Sequence, residues 1–422
     1  MDIEVVTIGS ELLLGFTIDT NAAHLARELA ALGVSISRRT TVPDDAGAIA
    51  GAVGAALDRS GAVITTGGLG PTADDFTKDA IAALFGLEMV LDERILEGLK
   101  RLWRERGRPG ELPVANHQQA RIPRGARVLR NNHGSAPGIW LEDPRGRWVA
   151  MLPGVPSEMR GMLADTLLPL VRERVAADGA PATVVRSRTL RTTGIAESVV
   201  AERLGDAARE AAGLPVAYLP GLRGLDLRLT ASGLPPEAAD AALERGIDLL
   251  RERVGRYIYG EGDADLAAVV LERCRSRGLR IALAESCTGG LLGARLTAVP
   301  GSSDVVLGAV VAYANEVKET QLDVPRALLA GHGAVSEPVA RAMASGVRRR
   351  FGAEIGIAVT GIAGPAGGTP EKPVGTVWIA IDAAQASRAV HARFFGDREE
   401  IRERAAQSAL DLARRMLEEG GD

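Results

Sequence analysis

Three times along this chain a short apolar run ends directly in a glycine-rich corner. Ala62 to Thr66 runs into Gly67 to Thr77, Arg280 to Ala284 into Glu285 to Gly290, and Ile355 to Thr360 into Gly361 to Pro370. A buried strand that stops at glycines before a helical pattern places backbone and turn side chains at a sheet edge, and such repeats indicate α/β architecture. In the second corner, A-L-A-E-S-C-T-G-G (Ala282 to Gly290), Ser286 and Cys287 sit between the strand and a helical stretch from Leu291 to Val299. A turn of that kind aims the unpaired N–H groups of a first helical turn at whatever binds above them. A hydroxyl facing those donors is half of an acyl-transfer site.

The other half is a base. The chain has five histidines, none near Ser286 in sequence. Lys318 follows the strand-like run Val305 to Tyr313 into a helix beginning near Asn315, and the ends of parallel strands share one edge of a sheet. A lysine serves as a base when burial or a neighbouring cation lowers its pKa. Tyr313 and Asn315, on the same connection, offer hydrogen bonds to hold it. The competing reading makes Ser286 a helix N-cap and Lys318 a solvated lysine; spacing alone leaves both open.

With 422 residues, two to three domains are expected. The first, residues 1–175, alternates strand-like and helix-like pieces: Glu4 to Ile8, Asn21 to Leu32, Val34 to Thr41, Ile49 to Leu57 and Ala62 to Thr66. That alternation predicts a parallel sheet with helices on both faces. Ala176 to Pro181 reads as a linker. A small α+β module is expected over residues 182–258, with a helix from Ala196 to Ala211 among its elements, and a second α/β domain over 263–422. The fold class is therefore α/β, two three-layer α/β/α domains joined by the small module.

In the first domain, G-G-L-G-P-T-A-D-D-F-T lets backbone approach a ligand closely, and a helix starting near Asp74 would offer its positive end to a phosphate. The adjacent carboxylates Asp74 and Asp75 would repel that phosphate unless a divalent cation lay between them. Glu11, in G-S-E-L-L-L-G, brings a further carboxylate to the same edge. A plain Gly-Pro turn followed by an Asp cap is the alternative. The basic stretch from Arg94 reads as a solvated face, and His133 as a loop histidine or a ligand. Ser336 is expected to cap a helix from Pro338 to Phe351.

A net charge of −4 gives no general electrostatic reason to bind nucleic acid or an anionic membrane. Cys274 and Cys287, the two cysteines, cannot build a disulfide framework or a cysteine zinc site. The opening Met-Asp-Ile-Glu-Val-Val has no basic n-region and no apolar run approaches spanning length, so a cytoplasmic protein is expected.

Together the motifs resemble the CinA family (competence/damage-inducible protein A) along essentially the whole chain. E-S-C-T-G-G, Y-A-N-E-V-K, G-A-V-S-E, V-T-G-I-A-G-P and F-F-G-D-R-E-E-I-R are similar to its C-terminal domain, a nicotinamide mononucleotide amidohydrolase. T-G-G-L-G-P-T-A-D-D, G-S-E-L-L-L-G and L-P-G-V-P-S-E-M are similar to its molybdopterin-binding-like N-terminal domain, associated with metal-dependent ADP-ribose pyrophosphatase activity. The resemblance implies Ser286 as nucleophile, Lys318 as base and Tyr313 beside them. It implies Thr288, Gly289, Gly290, Asn315, Thr360, Gly361 and either Arg398 or Arg402 as substrate contacts. In the first domain it implies Gly67, Gly68, Gly70 and Thr72 with Glu11 as the ligand loop and Asp74 and Asp75 as metal ligands. Ser10 stands where an acid or threonine is common in the family, and Gln118 where lysine is common. The resemblance further implies nucleotide substrates, an amidase that needs no cofactor, a divalent metal for the pyrophosphatase, and a homodimer. A non-catalytic accessory protein of DNA uptake or damage response, or a pterin-binding module, is the alternative.

Overall fold

The computed structural model describes residues 2–177, 183–205, 213–384 and 386–419. Most of the expected linker, and the expected helix beyond residue 205, lie outside the described residues. The chain divides into two compact units, residues 1–186 with 231–241 and residues 187–230 with 242–422. The residues expected as a middle module thus contribute to both.

The first unit is built on a six-stranded sheet in the order Ser35–Val42, Asp2–Ile8, Ala62–Thr66, Trp148–Leu152, Gly138–Glu142, Arg127–Leu129. The first four strands are parallel, but the last two pair antiparallel. The expectation of a wholly parallel sheet is corrected by a tight turn, in which Asp143 N–H donates to the Arg147 carbonyl at 2.8 Å. A short hairpin can join only antiparallel strands. Along Asp2–Ile8 successive side chains enter different cores: Ile3 and Val5 pack with Leu25, Leu29 and Met162, whereas Val6 and Ile8 pack with Ile49, Val53 and Ile81. A strand buried on both faces reads as a continuous apolar run, as this one does.

The helix after the glycine-rich loop is Thr77–Leu84, three residues later than expected. Its Lys78 is 1% exposed and donates to the carbonyls of Gln118 at 2.6 Å and Arg121 at 2.9 Å. Burial pulls its pKa down to about 8. The ammonium ties the helix to the segment Val114–Ala120.

In the second unit a five-stranded sheet runs in the order Val306–Val311, Ile281–Glu285, Ile355–Gly361, Thr376–Ala383, Ala386–Arg393. The first three strands are parallel, and the last two pair antiparallel as a hairpin. Helices Leu266–Arg275, Leu291–Thr297 and Arg398–Glu419 cover one face through Leu271, Leu292 and Leu410. Helix Glu337–Phe351 covers the other through Met343 and Val347. Its Ser336 does not cap it: the hydroxyl donates back to the Gly333 carbonyl at 2.9 Å. A four-stranded sheet, ordered Val216–Gly221, Gly224–Leu234, Val184–Thr192, Ile258–Glu261, accompanies helices Glu197–Leu204 and Pro236–Val254. No helix among the described residues is long and apolar enough to cross a membrane.

Candidate active site

The strand Ile281–Glu285 is central and wholly buried, so its end is fixed by both parallel neighbours. Ser286 N–H donates to the Val359 carbonyl at 2.9 Å, and Ala312 N–H donates to the Glu285 carbonyl at 2.8 Å. The chain then turns through Gly289 and Gly290, at φ 60° and 93°, values that favour glycine. Ser286 is left 8% exposed at the lip of this turn.

Glu285 is the residue that sequence reasoning missed. It is fully buried, and its carboxylate accepts from the N–H groups of Gly290 at 3.0 Å, Leu292 at 3.1 Å and Gly293 at 2.8 Å. These are the donors expected to face a ligand. The carboxylate consumes them, because a charge buried on an apolar strand must be paired. The side chain of Glu285 therefore does the capping, and the reading of Ser286 as N-cap falls away: Gly290 holds that position with no side-chain cap bond. Among the described residues, the N–H groups left at the turn without a backbone or Glu285 partner are those of Cys287 and Thr288. One signal was legible: a single acid closing an apolar run, with a glycine pair beginning four residues later at Gly289.

Glu285→Gln keeps the shape but removes the charge and turns one acceptor into a donor facing backbone N–H groups. The expected loss is about 2–3 kcal/mol of stability, read as a lower urea midpoint at unchanged m-value. An unshifted midpoint would show that the carboxylate does not hold this turn.

Lys318, on helix Asn315–Leu322, is 1% exposed. Its Nζ donates to the carbonyls of Ala312 at 2.8 Å and Tyr313 at 3.1 Å. A lysine buried among carbonyls is not the solvated lysine of the competing reading. Burial lowers its pKa, while Cys287 and Glu316 act in the opposite direction. Burial pushes the Cys287 thiol up to about 12, so at neutral pH it is uncharged and gives the ammonium no counter-ion. Lys318 and the Ser286 turn share one sheet edge: Ala312 bonds Glu285 through its N–H and Lys318 through its carbonyl. Among the described residues no hydrogen bond joins the Ser286 hydroxyl to Lys318, whose recorded bonds go to backbone.

The two arginines left undecided by sequence do different work. Arg402 donates through Nε and Nη2 to the Thr288 carbonyl, at 3.2 and 2.8 Å, and so clamps the serine turn. Arg398 donates to the Gly364 carbonyl at 2.6 Å and the Tyr313 hydroxyl at 2.7 Å, and its charge acts on Cys287. Thr360 is fully buried, with its hydroxyl donating to the Ala334 carbonyl at 2.9 Å. Gly361 leaves room for Cys287, since a Cβ there would lie 3.0 Å from the sulfur. The Thr288 hydroxyl is buried without a partner. Asn315 is exposed, and its side chain makes no hydrogen bond among the described residues.

In the first unit, Glu11, Gly67, Gly68, Gly70, Thr72 and Asp75 line one cavity of about 410 Å³. Sequence reasoning missed Asp44, which also lines it and accepts from Ser10 N–H at 2.8 Å and the Ser10 hydroxyl at 2.9 Å. Asp75 spends both oxygens inside the loop, on Gly70 N–H and Thr72 N–H, each at 2.8 Å. Asp74 is exposed and is not part of the cavity lining. The structure thus separates the two expected metal ligands. Among the described residues no group of three His, Cys, Asp or Glu is arranged to hold a metal ion. His133 bonds Asp165 at 2.9 Å.

A family model of the CinA C-terminal domain matches residues 263–417, one of a probable molybdopterin binding domain matches 4–173, and one of the damage-inducible protein CinA KH domain matches 187–260. The chain is 65% identical over 423 residues to a CinA-like protein of Gemmatimonas aurantiaca, covering 100% of this chain and 98% of that protein. It is 44% identical over 418 residues to a CinA-like protein of Salinibacter ruber, covering 99% of this chain and 100% of that one. Among solved structures, the competence/damage inducible protein CihA from Agrobacterium tumefaciens is 41% identical, covers 35% of this chain and 90% of that chain, and has a TM-score of 0.34.

Proposed function

The chain belongs to the CinA family, and from that membership we propose that its C-terminal part hydrolyses the carboxamide of nicotinamide mononucleotide to the carboxylate and ammonia, a step of pyridine nucleotide salvage. The observation that carries the reading is Lys318, a buried lysine with lowered pKa on the sheet edge that also holds Ser286. Neutral Lys318 takes the proton of the Ser286 hydroxyl as its oxygen attacks the carboxamide carbon. The oxyanion is received by the N–H groups of Cys287 and Thr288, the donors that Glu285 leaves free. Lys318 then passes the proton to the departing nitrogen, which leaves as ammonia, and the acyl group stays on Ser286 as an ester. Water, giving its proton to Lys318, attacks the ester, and Lys318 returns that proton to the Ser286 oxygen as it leaves, which releases the acid and restores the serine. Of the two arginines, Arg398 is the one for the substrate phosphate: it is exposed beside Tyr313, whereas Arg402 is less exposed and spends Nε and Nη2 on the Thr288 carbonyl.

The wild-type chain is expected to release ammonia from nicotinamide mononucleotide at the same rate with and without chelator. No ammonia above the uncatalysed rate would overturn the proposal. The cavity with Glu11, Asp44 and Asp75 favours a second reading, cleavage of the ADP-ribose pyrophosphate dependent on a divalent metal. The residues present do not form a ready metal site, so no step is derived through an ion. Phosphate-ester release that continues in chelator would sink that reading. A cytoplasmic homodimer is proposed with both activities, and light scattering of the purified chain checks the assembly.

A further inference from the structure

Helix Arg398–Glu419 presents a second arginine to a different part of the unit. Arg404 lies two residues beyond Arg402, about 200° further around the helix, and so faces away from the serine turn. There it lines a cavity of about 320 Å³ together with Thr193, Leu222, Arg223, Gln407 and Asp411. The volume suits a small metabolite.

The polar inventory of this cavity is unbalanced. Asp411 is already neutralised by Arg414 at 2.7 Å and Arg415 at 2.8 Å. Arg223 is shared with Asp265 at 3.2 Å and Glu403 at 3.5 Å. Gln407, 3% exposed, donates to the Thr193 hydroxyl at 3.3 Å and accepts from Arg295 at 2.8 Å. Among the described residues Arg404 makes neither hydrogen bond nor ion pair, and its Nε is buried without a partner. Behind Gln407, Arg295 is 8% exposed, and its Nε and Nη1 are also unpartnered. The one other lining carboxylate, Glu197, is exposed to solvent. A half-buried guanidinium left with open donors is costly unless an acceptor arrives, and its planar fork matches an oxyanion.

We propose that this cavity is a second ligand site, separate from the serine edge, for a small metabolite carrying a phosphate or carboxylate, with Arg404 as its charge partner. The test is calorimetric titration of the full chain with inorganic phosphate and, separately, with malonate. Wild type is expected to bind at least one probe, and the probe bound identifies the anion. Arg404→Gln is expected to weaken that binding at least about tenfold, and Arg326→Gln, at an exposed arginine that does not line the cavity, to leave it in place. Arg404→Lys, which keeps the charge, is expected to fall between wild type and Arg404→Gln. Titration of Arg404→Gln that matches wild type overturns the proposal, as does the absence of heat with both probes. Circular dichroism monitors folding. Should Arg404→Gln not fold, Ser408→Trp, which fills the cavity from the same helix, is expected to abolish the binding, and its retention overturns the proposal equally.

Discussion

Ser286→Ala is expected to lower kcat for ammonia release from nicotinamide mononucleotide by on the order of 10³-fold or more, with the melting temperature essentially unchanged. Among the described residues the hydroxyl makes no hydrogen bond that holds the turn. What holds it is the Ser286 N–H on Val359, the Glu285 carboxylate on three N–H groups and Arg402 on the Thr288 carbonyl. Removing that one oxygen therefore removes a nucleophile and little else. Cys287 is the internal control. Its thiol, pushed up to about 12 by burial, holds almost no thiolate at neutral pH, so Cys287→Ala is expected to retain most activity. Full activity in Ser286→Ala with loss in Cys287→Ala would reverse these roles and discard the serine mechanism.

Lys318→Met is expected to cost a comparable factor in kcat, and to do so without destabilising the protein at neutral pH. The sign follows from the lowered pKa. An exposed lysine titrates near 10.5 and folded Lys318 below that. Between the two values the unfolded chain binds more protons, so stability rises with pH across that window, and the penalty for burying the charge is complete below it. Methionine keeps the stem's packing and carries no such penalty, but it leaves the Ala312 and Tyr313 carbonyls without the ammonium. At pH 7 the two effects are expected to leave the variant within about 1 kcal/mol of wild type. Any advantage of the variant shrinks toward pH 10. Paired urea unfolding curves at pH 7 and pH 10 check the stability, and ammonia release checks the rate. Retained catalysis in a folded Lys318→Met would show that the base lies elsewhere.

Legibility in the sequence followed the range of the forces involved. The three strand-to-glycine corners were readable because apolar runs and glycines act over a few residues, and all three stand at sheet edges. The antiparallel edge of the first sheet was not, because Arg127–Leu129 has only three residues and the direction of Gly138–Glu142 is set by its pairing with Trp148–Leu152, not by its own pattern. Ser336 shows a local signal overruled: a preferred capping residue at the right place turns its hydroxyl to Gly333 instead.

By itself the sequence determined the α/β class, the corner that carries Ser286 and the strand-to-helix connection that carries Lys318, since each depends on neighbours in the chain. Which donors and charges at those corners are free was decided only by the tertiary structure. Glu285 occupies the N–H groups of the following helix, Arg402 reaches Thr288 across 114 positions, and Arg398 reaches Tyr313 across 85. Asp75 turns into its own loop while Asp74 faces solvent. A hydrogen bond is satisfied by whatever group arrives within about 3 Å, and over such separations arrival is a property of the packed fold.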